Sequence, residues 1–212
     1  MKKTFIAIAL FICVIMISSC DGDFLRELLT GSATTVIGDN EPDEYTSSIV
    51  LFGNVDSLPF ALGLATTMDV EQLMNLHGPE DISFPLMTYR ISDSVHVGQT
   101  FYIDNELTEE DLEEFNYEWL INGKFADKNF VGVAESDTLF YIMQSGEITV
   151  TSKNNSKMLG TFSGNAYVIN LNADPMLSEE QVSLVGEFTS RIAPTMDWLM
   201  LLQSQQELAE AK

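Results

Sequence analysis

Most of this chain carries the short apolar runs with polar interruptions that are typical of β-strands. Between residues 48 and 103 we predict four strands, at 49–52, 60–65, 82–91 and 98–103, because these runs are bounded by turn-forming residues. Pro85 lies inside the third run. Since proline has no N–H to donate to a neighbouring strand, this run is expected to be an edge strand or a bulged strand.

The region from 116 to 170 gives the clearest fold signal. Residues 117–121 run into Asn122-Gly123, which favours a tight hairpin turn because both residues accept positive φ. Four more runs follow, at 130–134, 138–143, 147–152 and 158–170. Short strands with a turn about every 8 to 12 residues indicate an antiparallel meander. The fold is therefore predicted to be mainly β, closed as a barrel or folded as a sandwich.

Two details of this region predict how its strands pack. Residues 139–143 are apolar on both faces, so this strand should be central or covered on both sides. Gly160 and Gly164 interrupt the last run and mark bulges or bends.

Two internal segments have helical spacing. Thr66 and Asp69 form a capping-box pattern, and Gly78 and Pro79 provide a stop, which predicts a short helix near 67–77. Thr108 is a suitable cap for an acidic helix near 108–116, whose carboxylates would lie in the positive first turn.

The C-terminal region is also predicted to be helical. Residues 178–181 match a capping box, and the apolar stripe behind them consists of Val182, Val185, Phe188 and Ile192. This predicts a helix near 178–193 that covers the sheet. After Pro194, a second stripe predicts a helix near 195–211, which could pack on the sheet or bind a partner protein.

The first twenty residues have the arrangement of an export signal. Lys2 and Lys3 precede thirteen apolar residues at 5–17, a run shorter than the roughly 18 residues that a membrane-spanning helix needs. The sequence Ile17-Ser18-Ser19-Cys20 then resembles the lipobox of bacterial lipoproteins. The whole pattern is similar to the small, mostly β lipoproteins that Gram-negative bacteria export. This resemblance implies that Cys20 is lipidated and becomes the first mature residue.

A lipidated Cys20 would fix both the location and the organisation of the chain. The resemblance implies two or three acyl chains, and two suffice for stable anchoring. We therefore expect a signal peptide at 1–19, a lipidated cysteine and tether at 20–47 with one possible strand at 33–37, and a single β-rich domain at 48–212. The expected location is the outer membrane of the cell envelope. Asp21 leaves the membrane and leaflet open, because an acid there accompanies inner-membrane retention in enteric bacteria and surface export in other lineages.

Charge excludes several partner classes. The chain has 32 acidic and 10 basic residues, a net charge of −22, and loss of residues 1–19 with Lys2 and Lys3 would make it −24. Such a charge repels phosphate backbones and anionic headgroups, so we expect no nucleic-acid partner and no binding of the polypeptide itself to a membrane surface. Of the two cysteines, Cys13 lies in the signal and Cys20 would be acylated. The mature chain would then have neither a disulfide nor a cysteine-based metal site.

The residues offer no catalytic, cofactor or metal site. Ser92, Asp93 and His96 are close in sequence, but a catalytic triad is a spatial arrangement that also needs an oxyanion hole. The only other histidine is His77, and a histidine metal site needs a third ligand. The acidic stretch 104–118 lacks the glycine and the alternation of a calcium-binding loop. We therefore predict that the protein is not an enzyme and that Cys20 is its one modified site.

Four aromatic residues on predicted strands could form a sugar-stacking platform, but strand aromatics more often belong to the core. They are Tyr102, Trp119, Tyr141 and Tyr167. Three functional hypotheses remain open. The first is a lipid-anchored, non-enzymatic binding module that contacts a partner through its C-terminal helix. The second is a lipocalin-like barrel carrying a small apolar ligand, although the G-x-W of that family is absent. The third is a hydrolase.

Overall fold

The computed structural model describes residues 31–55, 58–68, 83–112, 124–125 and 127–192. These residues form ten strands and a short 3-10 helix (Glu109–Leu112), and no α-helix lies among them. The strands are β1 (Ser32–Ile37), β2 (Asp43–Tyr45), β3 (Ser47–Val55), β4 (Leu58–Thr66), β5 (Leu86–Ile91), β6 (Thr100–Asp104), β7 (Phe130–Ala134), β8 (Leu139–Lys153), β9 (Lys157–Asn170) and β10 (Leu177–Ile192). The prediction of a mainly β, antiparallel fold is confirmed.

The three longest strands, β8, β9 and β10, form the central meander of the sheet. Strand β9 lies between β8 and β10 and pairs with both. On the edge away from β9, β8 pairs with β7 and β6, and β10 pairs with β1 and β3. Strands β3, β4, β5 and β7 lead from β10 back to β8, so the pairing follows a ring. The parallel contact between β3 and β10 involves only Ile49 with Arg191 and Val50 with Ile192. The sheet is therefore ring-like without being a barrel.

The inner face of this ring-like sheet holds the main core. Alternate residues of each strand point inward, as the two-residue period of a strand requires. Tyr89 of β5 stacks on Phe188 of β10 with ring centroids 4.3 Å apart, so aromatic rings join opposite sides of the interior. The remaining space is filled by buried aliphatic, aromatic and methionine side chains of the other strands.

A second core lies on the outer side of β5, β7 and the first half of β8. Phe140 and Ile142 face it, whereas Tyr141 and Met143 face the main core. The predicted coverage of 139–143 on both sides is thus confirmed. The described part of the cover comes from an internal segment that contributes Leu107, Leu112 and Phe125.

The predicted helix near 178–193 is wrong, because these residues form strand β10. Leu184, Phe188 and Ser190 are buried at intervals of two or four, whereas Val185 is 38% exposed on the opposite face. The expected helical stripe is therefore divided between two faces. Hydrogen-bonded strands on both sides of β10 satisfy its backbone along most of its length, which outweighs a local capping pattern.

The other predicted helices are only partly described. Within the predicted acidic helix near 108–116, the described residues form the 3-10 helix alone. Thr108 lies at the N-terminal end of this helix, where its N–H and hydroxyl both donate to the Asp111 carboxylate at 2.8 Å, the reverse of the predicted hydroxyl cap. The helix near 195–211, all but the first two residues of the helix near 67–77, and the Asn122-Gly123 hairpin lie outside the described residues.

Two predicted interruptions of the strands differ in the structure. The expected turn at 144–146 is a bulge inside β8, where the register shifts between Met143 and Ser145. Gly164 lies opposite in β9, and a side chain there would collide with the main-chain oxygen of Ser145. The prediction that Pro85 makes its strand an edge or a bulge is also wrong, since β5 begins after Pro85 and pairs with β4 and β7.

Part of the predicted tether belongs to the sheet. The possible strand at 33–37 is present as β1, which pairs with β10 and buries Ala33, Thr35 and Ile37. Strand β2 extends the sheet beyond it. Only residues 20–30 of the predicted tether lie outside the described residues.

Candidate binding face and the predicted site residues

The outer side of β6, of the second half of β8, and of β9, β10 and β1 forms an open polar surface, which we call the polar face. One cross-strand row of this face consists of Thr100, Thr149, Thr161, Glu187 and Thr34, each opposite the next in the strand register. A second row consists of Tyr102, Glu147, Ser163, Val185 and Val36. Both rows follow from the two-residue period, because the residues between them belong to the main core.

Tyr102 is the exposed aromatic of the polar face. Its side chain is 74% exposed, while its neighbours Phe101 and Ile103 are buried in the main core and hold β6 in place. Its main-chain oxygen accepts a hydrogen bond of 2.8 Å from the Asn129 side chain. Tyr102 therefore presents its ring to solvent from a fixed backbone, which contradicts the expectation that it is a core residue.

The other predicted aromatics divide differently. Tyr141 and Tyr167 are both 8% exposed and belong to the cores, as expected. Trp119 lies outside the described residues. The signal that separates Tyr102 from the other two is the alternation of its short strand, in which the polar residues Thr100 and Asp104 lie on the same face as Tyr102.

Amide side chains mark the border between the polar face and the second core. Gln144 donates to the Tyr167 hydroxyl at 2.8 Å, and Gln181 donates to the Gln144 oxygen. Each glutamine amide has two donor hydrogens and an oxygen with two acceptor sites, so these contacts leave hydrogen-bonding capacity for a ligand.

Two carboxylates and a phenol approach one another near the β7–β8 turn. Burial and the charge of Glu135 raise the pKa of Asp43 above its ordinary value. Burial, a hydrogen bond with Glu135 and the two nearby negative charges raise the pKa of Tyr141 to about 12. Tyr141 therefore stays protonated at neutral pH.

No group of three or more potential metal ligands occurs among the described residues.

Ser92, Asp93 and His96, which are close in sequence, each make separate hydrogen bonds in the structure. The Ser92 hydroxyl donates to the main-chain oxygen of Lys128 at 2.6 Å, and the Asp93 carboxylate accepts from the Ser94 N–H at 2.6 Å. The main-chain N–H of exposed His96 donates to the Gln99 side chain at 3.3 Å. His77 and Cys20 lie outside the described residues.

Buried hydroxyl groups connect three strands across the interior. The Tyr89 hydroxyl donates to Ser190 at 2.7 Å, and Ser190 and Ser48 are also hydrogen-bonded at 2.7 Å. All three residues are buried. These contacts occupy the space between β3, β5 and β10, which a carrier of a small ligand would have to leave open.

Searches with this chain against protein-family models, curated proteins and solved structures return no match. Over the parts of the chain that the structure describes, no helix is both long and apolar enough to cross a bilayer.

Proposed function

We propose that this protein is a lipid-anchored, non-enzymatic binding module of the Gram-negative outer membrane. The anchor is Cys20, in the lipobox-like sequence Ile17-Ser18-Ser19-Cys20. The observation that carries the binding role is the polar face, where a 74% exposed Tyr102 stands among threonines, serines and glutamates on a regular sheet.

The chemistry of the polar face favours an uncharged, hydroxyl-rich ligand such as a polysaccharide. Tyr102 supplies a flat ring on which a sugar can stack, and the hydroxyl, amide and carboxylate groups beside it accept or donate hydrogen bonds. Glu147 and Glu187 in the two rows make the polar face itself unfavourable for phosphates and acidic polymers.

The two alternatives have less support. Tyr89, Phe188, Ser190 and Ser48 fill the interior that a lipocalin-like carrier would use for its ligand. A hydrolase would need a base for the Ser92 hydroxyl, which instead donates to a carbonyl oxygen.

The predicted helix near 195–211 remains a proposed partner-binding segment, and unchanged partner capture after deletion of 195–212 would refute that role.

The lipid anchor is tested by the substitution Cys20→Ala in cells. We expect the wild-type protein in the membrane fraction and the variant in the soluble fraction, because removal of the acyl chains removes the hydrophobic attachment. The same Cys→Ala change at Cys13, inside the predicted signal, is the matched control and should leave the protein in the membrane fraction. Membrane association of the Cys20→Ala variant at the wild-type level would contradict the proposal.

The polar face is tested by co-sedimentation with three uncharged, insoluble polysaccharides, namely chitin, cellulose and β-1,3-glucan. We expect the wild-type protein to sediment with at least one of them, and Tyr102→Ala to weaken that binding about ten-fold because the stacking ring is lost. Tyr102→Phe should retain most of the binding, and Val97→Ala, at a 58% exposed residue off the two rows, should not change it. If the wild-type protein sediments with none of the three, the proposed ligand class is wrong.

A further inference from the structure

Positive charge is concentrated at one end of the meander. The described residues contain six lysines and arginines, and three of them, Lys153, Lys157 and Arg191, lie at the β8–β9 hairpin and the adjoining end of β10. We call this the basic end. Lys157 is directly opposite Arg191 in the register, an arrangement of like charges that does not favour sheet stability.

The basic end is a well-formed part of the sheet. The Asn154 carboxamide oxygen accepts hydrogen bonds from the N–H groups of Ser156 and Lys157, both at 2.8 Å, which fixes the hairpin turn. Lys153 lies 4.4 Å from the centroid of the Phe52 ring and donates to the Val95 oxygen at 3.3 Å. The three positive charges are thus held around one end of the molecule.

Gly31, the described residue nearest to Cys20 in the sequence, lies at this same end of the sheet. A side chain on Gly31 would collide with the main-chain oxygen of Ser48 and lie 2.6 Å from that of Thr189, two residues before Arg191. Gly31 is eleven residues after Cys20. Eleven residues span at most about 40 Å when fully extended, so a lipid on Cys20 would keep the basic end near the bilayer.

We propose that the basic end faces an anionic lipid surface and orients the anchored domain. This inference rests on the proposed lipidation of Cys20. The opposite end of the meander is acidic, with Glu135 and Asp137 in the β7–β8 turn and Asp174 in the β9–β10 turn. An anionic surface attracts the basic end and repels the acidic end. The strands β8, β9 and β10 are then tilted away from the membrane plane, and the polar face stays accessible from the side.

The experiment compares two labelled positions in the lipidated, full-length protein reconstituted in vesicles. Asn155→Cys lies at the basic end and Asn172→Cys at the other end of β9; both residues are exposed, and both substitutions are chemically identical. A fluorophore at each position is read against a lipid-bound quencher, in vesicles of phosphatidylcholine with or without phosphatidylglycerol. Vesicle flotation reports anchoring independently of orientation.

We expect stronger quenching at 155 than at 172, and a larger difference when phosphatidylglycerol is present. Lys157→Gln should lower the ratio of oriented to unoriented protein about five-fold, because one basic residue near an anionic surface contributes a factor of about that size to binding. Lys128→Gln, the same change at an exposed lysine outside the basic end, should leave the ratio unchanged. Flotation with equal quenching at both labels overturns the orientation alone, whereas failure to float overturns the anchor and the orientation with it.

Discussion

At the residue scale, two carboxylates fix the covering segment, one by binding the sheet and the other by joining two parts of the segment. Glu109 accepts hydrogen bonds from the N–H groups of Met176 and Leu177, at 2.7 and 3.0 Å, and so attaches the 3-10 helix to the β9–β10 turn. Asp111 accepts from Thr108 and forms an ion pair with Lys124. These two acids therefore contribute to structure, whereas Asp104, Glu106 and Glu110 are exposed to solvent.

The Asp111 carboxylate should make stability depend on pH. Burial alone would raise its pKa, but hydrogen bonds from Lys124 and Thr108 outweigh burial and lower it. Because the folded pKa lies below the unfolded value of about 3.9, the contribution is complete above about pH 4 and is lost as the pH falls through the folded value. We expect Asp111→Asn to lower the free energy of unfolding by about 0.5 kcal/mol at pH 7 and by less below pH 4.

Urea denaturation of both proteins at pH 7 and pH 3 measures this difference. Asp137→Asn is the matched control, because Asp137 is exposed in the β7–β8 turn and its removal reduces the excess of negative charge. A loss of stability for Asp111→Asn that is equal at both pH values would contradict the role assigned to the charge.

At the scale of elements, strand β10 shows where sequence patterns have two interpretations. Four apolar residues at 182, 185, 188 and 192 fit one face of a helix, yet the buried positions follow a two-residue period. Gly186 was the available signal for a strand, since a side chain there would collide with the Thr34 oxygen and the Phe162 ring. Close packing against the neighbouring strands, rather than local helix propensity, determines that these residues form a strand.

Other elements were predictable because local and tertiary preferences agree. Strand β7 has the predicted bounds, Phe130–Ala134, and β9 begins one residue before its predicted start. The polar face was predictable only in part. The alternation at 100–104 places Tyr102 on one face of β6 and Phe101 and Ile103 on the other face. Which of these two faces is exposed to solvent depends on the strands that surround β6.

Substitutions at adjacent positions of β10 test its two-residue period. We expect Leu184→Ala to lower the free energy of unfolding by about 3 kcal/mol, because Leu184 is fully buried in the main core. Val185→Ala, one residue further on, removes a side chain from the exposed face and should cost about 0.5 kcal/mol or less. Chemical denaturation provides both values, and equal losses at the two positions would contradict a strand here.

At the scale of the whole molecule, the ring-like sheet depends on a short seam between β3 and β10. Main-chain pairing at this seam covers two residue pairs, and the hydrogen bonds of Tyr89, Ser190 and Ser48 reinforce it from inside. Burial raises the pKa of Tyr89 above its ordinary range, so its hydroxyl remains a donor. The seam therefore combines one ladder of two residue pairs with a buried chain of hydroxyl groups.

The contribution of this hydroxyl chain is tested by Tyr89→Phe. The substitution keeps the ring that stacks on Phe188 but removes the hydrogen bond to buried Ser190, so we expect a loss of about 1–2 kcal/mol in the free energy of unfolding. Tyr102→Phe removes a hydroxyl from an exposed ring and should change stability by less than about 0.5 kcal/mol. Equal, small effects in thermal denaturation would mean that the hydroxyl chain does not hold the seam.

Strand β10 also sets the order in which the domain can be completed. It pairs with β1, whose Ser32 lies opposite Thr189, so the first and last described strands meet only after nearly the whole chain is available. Such distant pairing makes folding slow, because a long loop must close before its contacts form. A chain that emerges from its N-terminus therefore cannot complete this sheet before β10 is available, although β3, β4, β5, β7, β8 and β9 can already pair with one another.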